Sequence, residues 1–427
     1  MEIRKQTYNE LGETLCSAEL ANGLRVRVVP KKGFSGFFAC FGTYYGSVMR
    51  SFLLGGERKD TPAGVAHYLE HKMFDMPDGD NALQSMTATG ADPNAFTGFD
   101  ETVYHFHCTE RFEENLRTLL RFVTTPYFTP ETVEKEQGII SQEIRMYDDL
   151  PDYAVYFELM KLLYRTHPLR DDIAGTVESI AEIDAETLYA CHKAFYTPGN
   201  MCLCVEGDVE PEEICRIAEE ILGTEKGEVP QPLIPEENGA PEQLCTERKM
   251  SVSAPLFLLG AAFTPSGEDA LRERIVARLA LRLLCSPSSA FYTRLYREGL
   301  LNRSFSYEAE FPANAALVTA GGESRDPKRV YDELLREAER VAAEGFDAAD
   351  FERAKRASLG ARLRGFEDFD SVCLSAFEGA RLGYSVFDAP AVLASVTAEE
   401  CRAFVARVLT RERTALSVIL PEGGAGA

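Results

Sequence analysis

The densest chemistry in the chain lies at residues 61–74, TPAGVAHYLEHKMF. His67 and His71 are four residues apart, a spacing that puts both imidazoles on one face of a helix, where they can reach one metal ion. Glu70 shares that face. A carboxylate there can accept a proton from water held by the metal. Thr61 and Pro62 suit a helix start, and Ala63 through Phe74 are predicted as helix.

This HxxEH order is the inverse of the commoner HExxH zinc motif. The chain holds only 6 histidines, so a chance HxxEH has odds of roughly one in a hundred. The bland alternative is a pair of exposed helix histidines beside a glutamate. A catalytic zinc site takes three protein ligands and keeps one position open, so a third ligand should lie downstream. The segment PETVEKEQGIISQEIRMYDDL from Pro130 is predicted as an amphipathic helix, with Thr129 or an early acidic residue as its cap. On it Glu136 and Glu143 are seven apart and share a face, beside Ile139 and Ile140. Either glutamate alone would read as solvated surface.

The elements that must hold these residues fall into two halves. The stretch EKGEVPQPLIPEENGAPEQ from Glu225 is rich in Pro, Gly and Glu and reads as a linker. The predicted division is 1–224, a linker at 225–246, and 247–427. The halves end alike: IDAETLYACHKAFYTPGNMCLCVEGD from Ile183 lies without gaps on VTAEECRAFVARVLTRERTALSVILP from Val396. Each shows a cap (Asp184, Thr397), an amphipathic helix, a turn and an apolar strand, and Thr397 with Glu400 has capping-box spacing. They also begin alike, with apolar strands from Ser35 and Ala254. The fold class expected is α+β: two homologous domains, each a mainly antiparallel sheet with helices packed on one face.

Composition excludes several function classes. At 427 residues and 45 % hydrophobic content the chain can build real cores. A net charge of −23 repels a phosphate backbone, so nucleic acid is not an expected partner, whereas a cationic peptide would be drawn in. No signal segment or membrane-length apolar run is seen, so no membrane association and a cytoplasmic location are expected. The 11 cysteines are scattered, without CxxC, and read as buried thiols of a reducing compartment. Cys202 and Cys204 are read as facing opposite sides of a strand, and so as sharing neither a metal nor a disulfide.

GVAHYLEHKMF resembles the signature of the pitrilysin/insulinase family, which includes mitochondrial processing peptidase. EKEQGIISQEIRMYDD resembles that family's downstream helix. The resemblance extends over essentially the whole chain, including PNAFTGFDETVYHF from Pro93 and HPLRDDIAGT from His167. It implies Zn2+ held by His67, His71 and Glu143, the last lying 72 residues past His71. Glu70 would serve as general base, and Glu136 would support a ligand from behind. It also implies a substrate edge strand at Asn94, Ala95, Phe96 and Thr97, to which an extended peptide adds itself. The implied reaction is hydrolysis of internal peptide bonds. The bland reading of NAFTGF is a loop-to-strand transition. His105 and His107 share a face of the next strand and read as packing or surface histidines.

One departure bears on partners. The family's second half supplies an arginine and a tyrosine at fixed spacing. Here Arg294, Arg297 and Tyr307 are present, but Leu301 and Ser304 occupy the positions where the tyrosine would fall. A heterodimer with a related subunit lacking zinc is therefore expected, with a homodimer as the alternative. Two other functions stay open: a non-catalytic peptide-binding or scaffolding subunit, and a zinc hydrolase of small molecules, against which the edge strand argues.

Overall fold

The computed structural model describes residues 2–77, 79–237 and 240–422. Two compact units emerge, and they do not follow the linear halves. One comprises Met1–Gln142, Asp172–Leu233 and Arg364–Asp388; the other comprises Glu143–Asp171, Ile234–Leu363 and Ala389–Ala427. The boundaries drawn from the sequence at 224 and 247 thus differ from the compact units. Segment 364–388 contributes its helix Phe369–Leu382 to the first unit, and 143–171 contributes Pro151–Leu163 to the second. Composition marks a linker, but the face on which a helix packs is set by long-range contacts. Within the linker, Gln231–Pro232 pairs with the strand Ser51–Leu54. Its residues 238 and 239 lie outside those described.

The first unit is built on a seven-stranded sheet. Its order is Arg4–Tyr8, Glu13–Glu19, Arg25–Pro30, Met201–Gly207, Phe37–Thr43, Thr102–Cys108 and Asp92–Thr97. The second has five strands: Cys245–Met250, Thr414–Pro421, Leu256–Phe263, Ala316–Glu323 and Ser306–Glu310. The last five strands of the first sheet match these one for one, each with one parallel pair followed by three antiparallel pairs. That correspondence is the duplication inferred from the sequence. The mainly antiparallel α+β architecture is present in both units. The caps are also as read: Asp184 accepts from the Thr187 amide, and Thr397 and Glu400 form a reciprocal capping box.

In the first sheet the central strands are buried and mainly apolar, with the buried carboxyl of Glu206 as an exception, and the helix Phe369–Leu382 covers one face. Phe377, Ala376, Ala380 and Cys373 pack there on Phe38, Cys40, Val103, Cys202 and Cys204. Gly42 leaves room for this: a Cβ there would sit 2.8 Å from the Phe377 ring. The reading of Cys202 and Cys204 is corrected. Residues two apart on a strand point to the same side of the pleat, and these sulfurs lie 3.7 Å apart. Both thiols are pushed up by burial, and all 11 cysteines are free. Among the described residues, no helix is long and apolar enough to cross a membrane.

Candidate metal centre

The motif helix spans Val65–Lys72, shorter at both ends than the sequence predicted. Thr61 and Pro62 do not start it. Its N-cap is Gly64, whose φ of 94° is left-handed and breaks the helical path. Gly64 is also tightly enclosed: a Cβ there would meet the Ala174 carbonyl oxygen at 2.5 Å. Ser179 Oγ donates to the Ala63 carbonyl (2.9 Å), completing a clamp from segment 174–179 on the start of the helix. That clamp uses the end of HPLRDDIAGT, the segment matched to the family on sequence alone. Val65, Ala66, Tyr68 and Leu69 bury one side of the helix. His67, Glu70 and His71 are left on the other.

The helix Pro130–Asp148 lies as expected. Tyr68 Oη donates to the Val133 carbonyl (2.5 Å), and Gln137 Nε2 donates to the Ile180 carbonyl (3.0 Å), fixing this helix against the motif helix and its clamp. The compact-unit boundary falls at Gln142, inside this continuous helix, and Glu143 is the first residue past it. Donor atoms of His67, His71 and Glu143 all lie within 4.8 Å of one another, and they form the one set of this kind among the described residues.

Two imidazoles and a carboxylate suit zinc chemically. The charge state of His67 suits it too. Burial first, and the neighbouring His71 second, push His67 down to about 3, so it is neutral at physiological pH and keeps its metal-binding lone pair. His71 Nδ1 lies 3.0 Å from Glu136 Oε1. A carboxylate can only accept, so Nδ1 carries the proton and Nε2 is left for a metal. Metal ligands at ~2.1 Å from a tetrahedral ion sit ~3.4 Å apart. A separation of at most 4.8 Å therefore closes with small side-chain rotations, and the residues fit the ion.

Glu70 is placed by a neighbour the sequence did not single out for this task. Thr97 Oγ1 donates to Glu70 Oε2 at 2.6 Å. Asn94, Ala95, Phe96 and Thr97 lie on the strand Asp92–Thr97, an edge of its sheet, paired on one side with Thr102–Cys108. The expected edge strand thus ends at Glu70. Thr97 directs its hydroxyl at Glu70, a role that only tertiary structure reveals. His107 Nε2 pairs with Asp370 (2.7 Å), and His105 and His107 both lie against Phe38, so these histidines pack rather than join the metal set. Arg294 is engaged by Glu333 (2.7 Å), and Tyr307 stands on the edge strand Ser306–Glu310 of the other sheet. No histidine occurs beyond His192, so the second sheet cannot repeat the first one's metal set.

Residues 52–177 match the family described as Insulinase (Peptidase family M16). Residues 182–358 match the Peptidase M16 inactive domain. The chain is 36% identical to a Bacillus subtilis protein described as an uncharacterized zinc protease, over 98% of this chain and 100% of that one. A crystal structure of a putative M16-like peptidase from Alicyclobacillus acidocaldarius superposes with a TM-score of 0.91 at 32% identity, covering 99% of each chain. Pitrilysin shares the fold, with a TM-score of 0.79 at 14% identity over 100% of this chain and 47% of its own. With the inverted HxxEH helix, a downstream glutamate and the duplicated sheets all in place, this chain belongs to the pitrilysin/insulinase family of M16 peptidases.

Proposed function

We propose that the protein is a zinc metalloendopeptidase that hydrolyses internal bonds of unfolded peptides. The observation that carries this reading is the convergence of His67, His71 and Glu143 donor atoms within 4.8 Å, with Glu70 on the same helix as the two histidines. Zinc, when bound, would polarise the scissile carbonyl and acidify the attacking water. Glu70 takes that water's proton and passes it to the leaving amine. Thr97 holds the receiving carboxylate in place, and Glu136 holds His71 in the ligating tautomer. The edge strand Asp92–Thr97 binds the peptide in extended form through main-chain hydrogen bonds, which make few demands on side chains. Because that strand ends at Thr97, the bound backbone runs past Glu70.

The absent arginine–tyrosine pair supports a heterodimer with a related subunit that supplies the missing groups. If the purified chain alone cleaves peptides at a rate its partner does not raise, that part of the proposal falls. The peptidase itself is tested by zinc content and cleavage of mixed ten- to thirty-residue peptides, comparing wild type with Glu70→Gln. Stoichiometric zinc in both, with cleavage in the wild type alone, is the expected result. Zinc without cleavage, even with the partner present, would instead favour a binding or scaffolding subunit.

A further inference from the structure

The turn that joins the edge strand to its neighbour carries buried charge. Asp100 is 8% exposed. Glu101 beside it is pushed up to about 7, first by burial and then by Asp100, with Arg381 acting in the opposite sense and Glu378 adding to the rise. Arg381 lies in the last turn of the helix Phe369–Leu382, 310 residues beyond His71. Its guanidinium reaches Asp100 Oδ2 at 2.6 Å and lies 5.3 Å from the centre of the Tyr44 ring. Arg381 Nε is buried without a hydrogen-bond partner among the described residues, so the side chain is committed to charge contact rather than a full hydrogen-bond set. Tyr44 Oη donates to the Phe377 carbonyl (2.9 Å), which ties the same helix to the same corner.

The first half of the turn has other supports. Ser47 N donates to Gly98 O (3.1 Å) and Val48 N to Phe99 O (3.0 Å), and Gly46 is packed so closely that a Cβ would sit 2.5 Å from Asp100 N. The second half has the ion pair. Thr97 and Thr102, which flank the turn, are register partners with hydroxyls 3.5 Å apart. Thr97 in turn holds Glu70. A chain of contacts therefore runs from Arg381 through Asp100 and the turn to Thr97 and Glu70.

We propose that Arg381 is a positioning residue: by neutralising Asp100 inside the turn, it holds the Asp92–Thr97 strand straight and keeps the Thr97 hydroxyl on Glu70. A buried carboxylate that loses its cation moves toward water or takes up a proton. With Glu101 and Glu378 nearby, the turn would be driven outward and Thr97 would go with it. The kinetic consequence rests on the peptidase reading above; the structural one does not.

The test uses the full chain as Arg381→Met, Arg381→Lys, Thr97→Val, Arg381→Met/Thr97→Val and Arg381→Met/Asp100→Asn. Amide hydrogen exchange, zinc stoichiometry, kcat and KM are measured on each. Arg381→Met should speed exchange at residues 92–104 while the helices Val65–Lys72 and Phe369–Leu382 keep their protection and zinc stays stoichiometric. It should lower kcat by about ten- to a hundredfold, with a smaller change in KM, as expected for a base displaced by about an ångström. Arg381→Lys should restore most of this, and Asp100→Asn should restore protection in the Met background by removing the charge that needed the cation. Thr97→Val should cost less in the Met background than in the wild type. Unchanged exchange at 92–104, or loss of protection spread equally over the covering helix, would overturn the proposal whether or not the protein cleaves peptides. Additive effects of Arg381→Met and Thr97→Val on kcat would also overturn it.

Discussion

Replacing Glu136 by alanine isolates one contact at the proposed metal centre. His71 Nδ1 then loses its acceptor at 3.0 Å, and with it the restraint on ring orientation and tautomer. Losing a partner of this kind costs roughly 10–100-fold in metal affinity, or about 1.4–2.7 kcal/mol. The two side chains are 23% and 17% exposed. Water therefore weakens the contact and can partly replace it, which places the expected loss nearer tenfold. Glu136→Gln keeps an acceptor oxygen without the charge, and charge-assisted hydrogen bonds are about twice as strong as neutral ones. Its loss should be about threefold. Competition for zinc against a chromophoric chelator at fixed pH measures both. Tyr68 and Gln137 still anchor the glutamate helix, so the metal-free variants should unfold within about 1 kcal/mol of wild type. Unchanged affinity in Glu136→Ala would refute the orienting role. A loss beyond about a thousandfold would mean that Glu136 binds the metal directly, far outside the range for an outer partner. Glu143→Ala, by contrast, should bind no stoichiometric zinc at concentrations where Glu136→Ala still does.

Thr97→Val removes a hydroxyl hydrogen bond to a carboxylate, a bond of about 1.5–3 kcal/mol. Steady-state kinetics should show kcat down by about ten- to a hundredfold with zinc content unchanged. Gly64→Ala combines a left-handed φ of 94° with a 2.5 Å approach to the Ala174 carbonyl. Thermal unfolding should show a loss of about 2 kcal/mol or more, and zinc affinity should fall because the motif helix loses its seat. Glu206 is fully buried, with Lys31 at 3.3 Å. Burial pushes it up to about 8, with Lys31 opposing. The folded state therefore holds a proton that the unfolded state releases near 4.5. Its stabilising contribution is complete below that pH and is lost as pH rises to about 8. Denaturant unfolding of Glu206→Gln should accordingly show a gain over wild type that grows from about pH 5 to about pH 8. The gain should reach a few kcal/mol, since each pH unit between the folded and unfolded values is worth about 1.4 kcal/mol. A constant difference across that range would contradict this.

How much of this was legible in the sequence depends on the range of the interaction concerned. His67, Glu70 and His71 could be read directly because helical periodicity is local: three residues within one turn share a face wherever the helix goes. The Glu136 and Glu143 face was legible for the same reason, although its approach to the motif helix came only through family resemblance. The capping box of Thr397 and Glu400, the apolar strands and the duplication were equally local in origin. Even a local rule must be applied with the right period, as Cys202 and Cys204 show. Tertiary structure alone decided the rest. Gly64 starts the helix because the Ala174 carbonyl fills the space beside it. Thr97 serves Glu70 because the sheet edge brings together residues 27 positions apart. The helix carrying Arg381 joins the first unit because its apolar face fits over Phe38, Cys40 and Val103. The amphipathic pattern shows that such a face exists, but the partner that covers it is chosen by shape and charge across hundreds of residues, and a one-dimensional pattern carries no record of that choice.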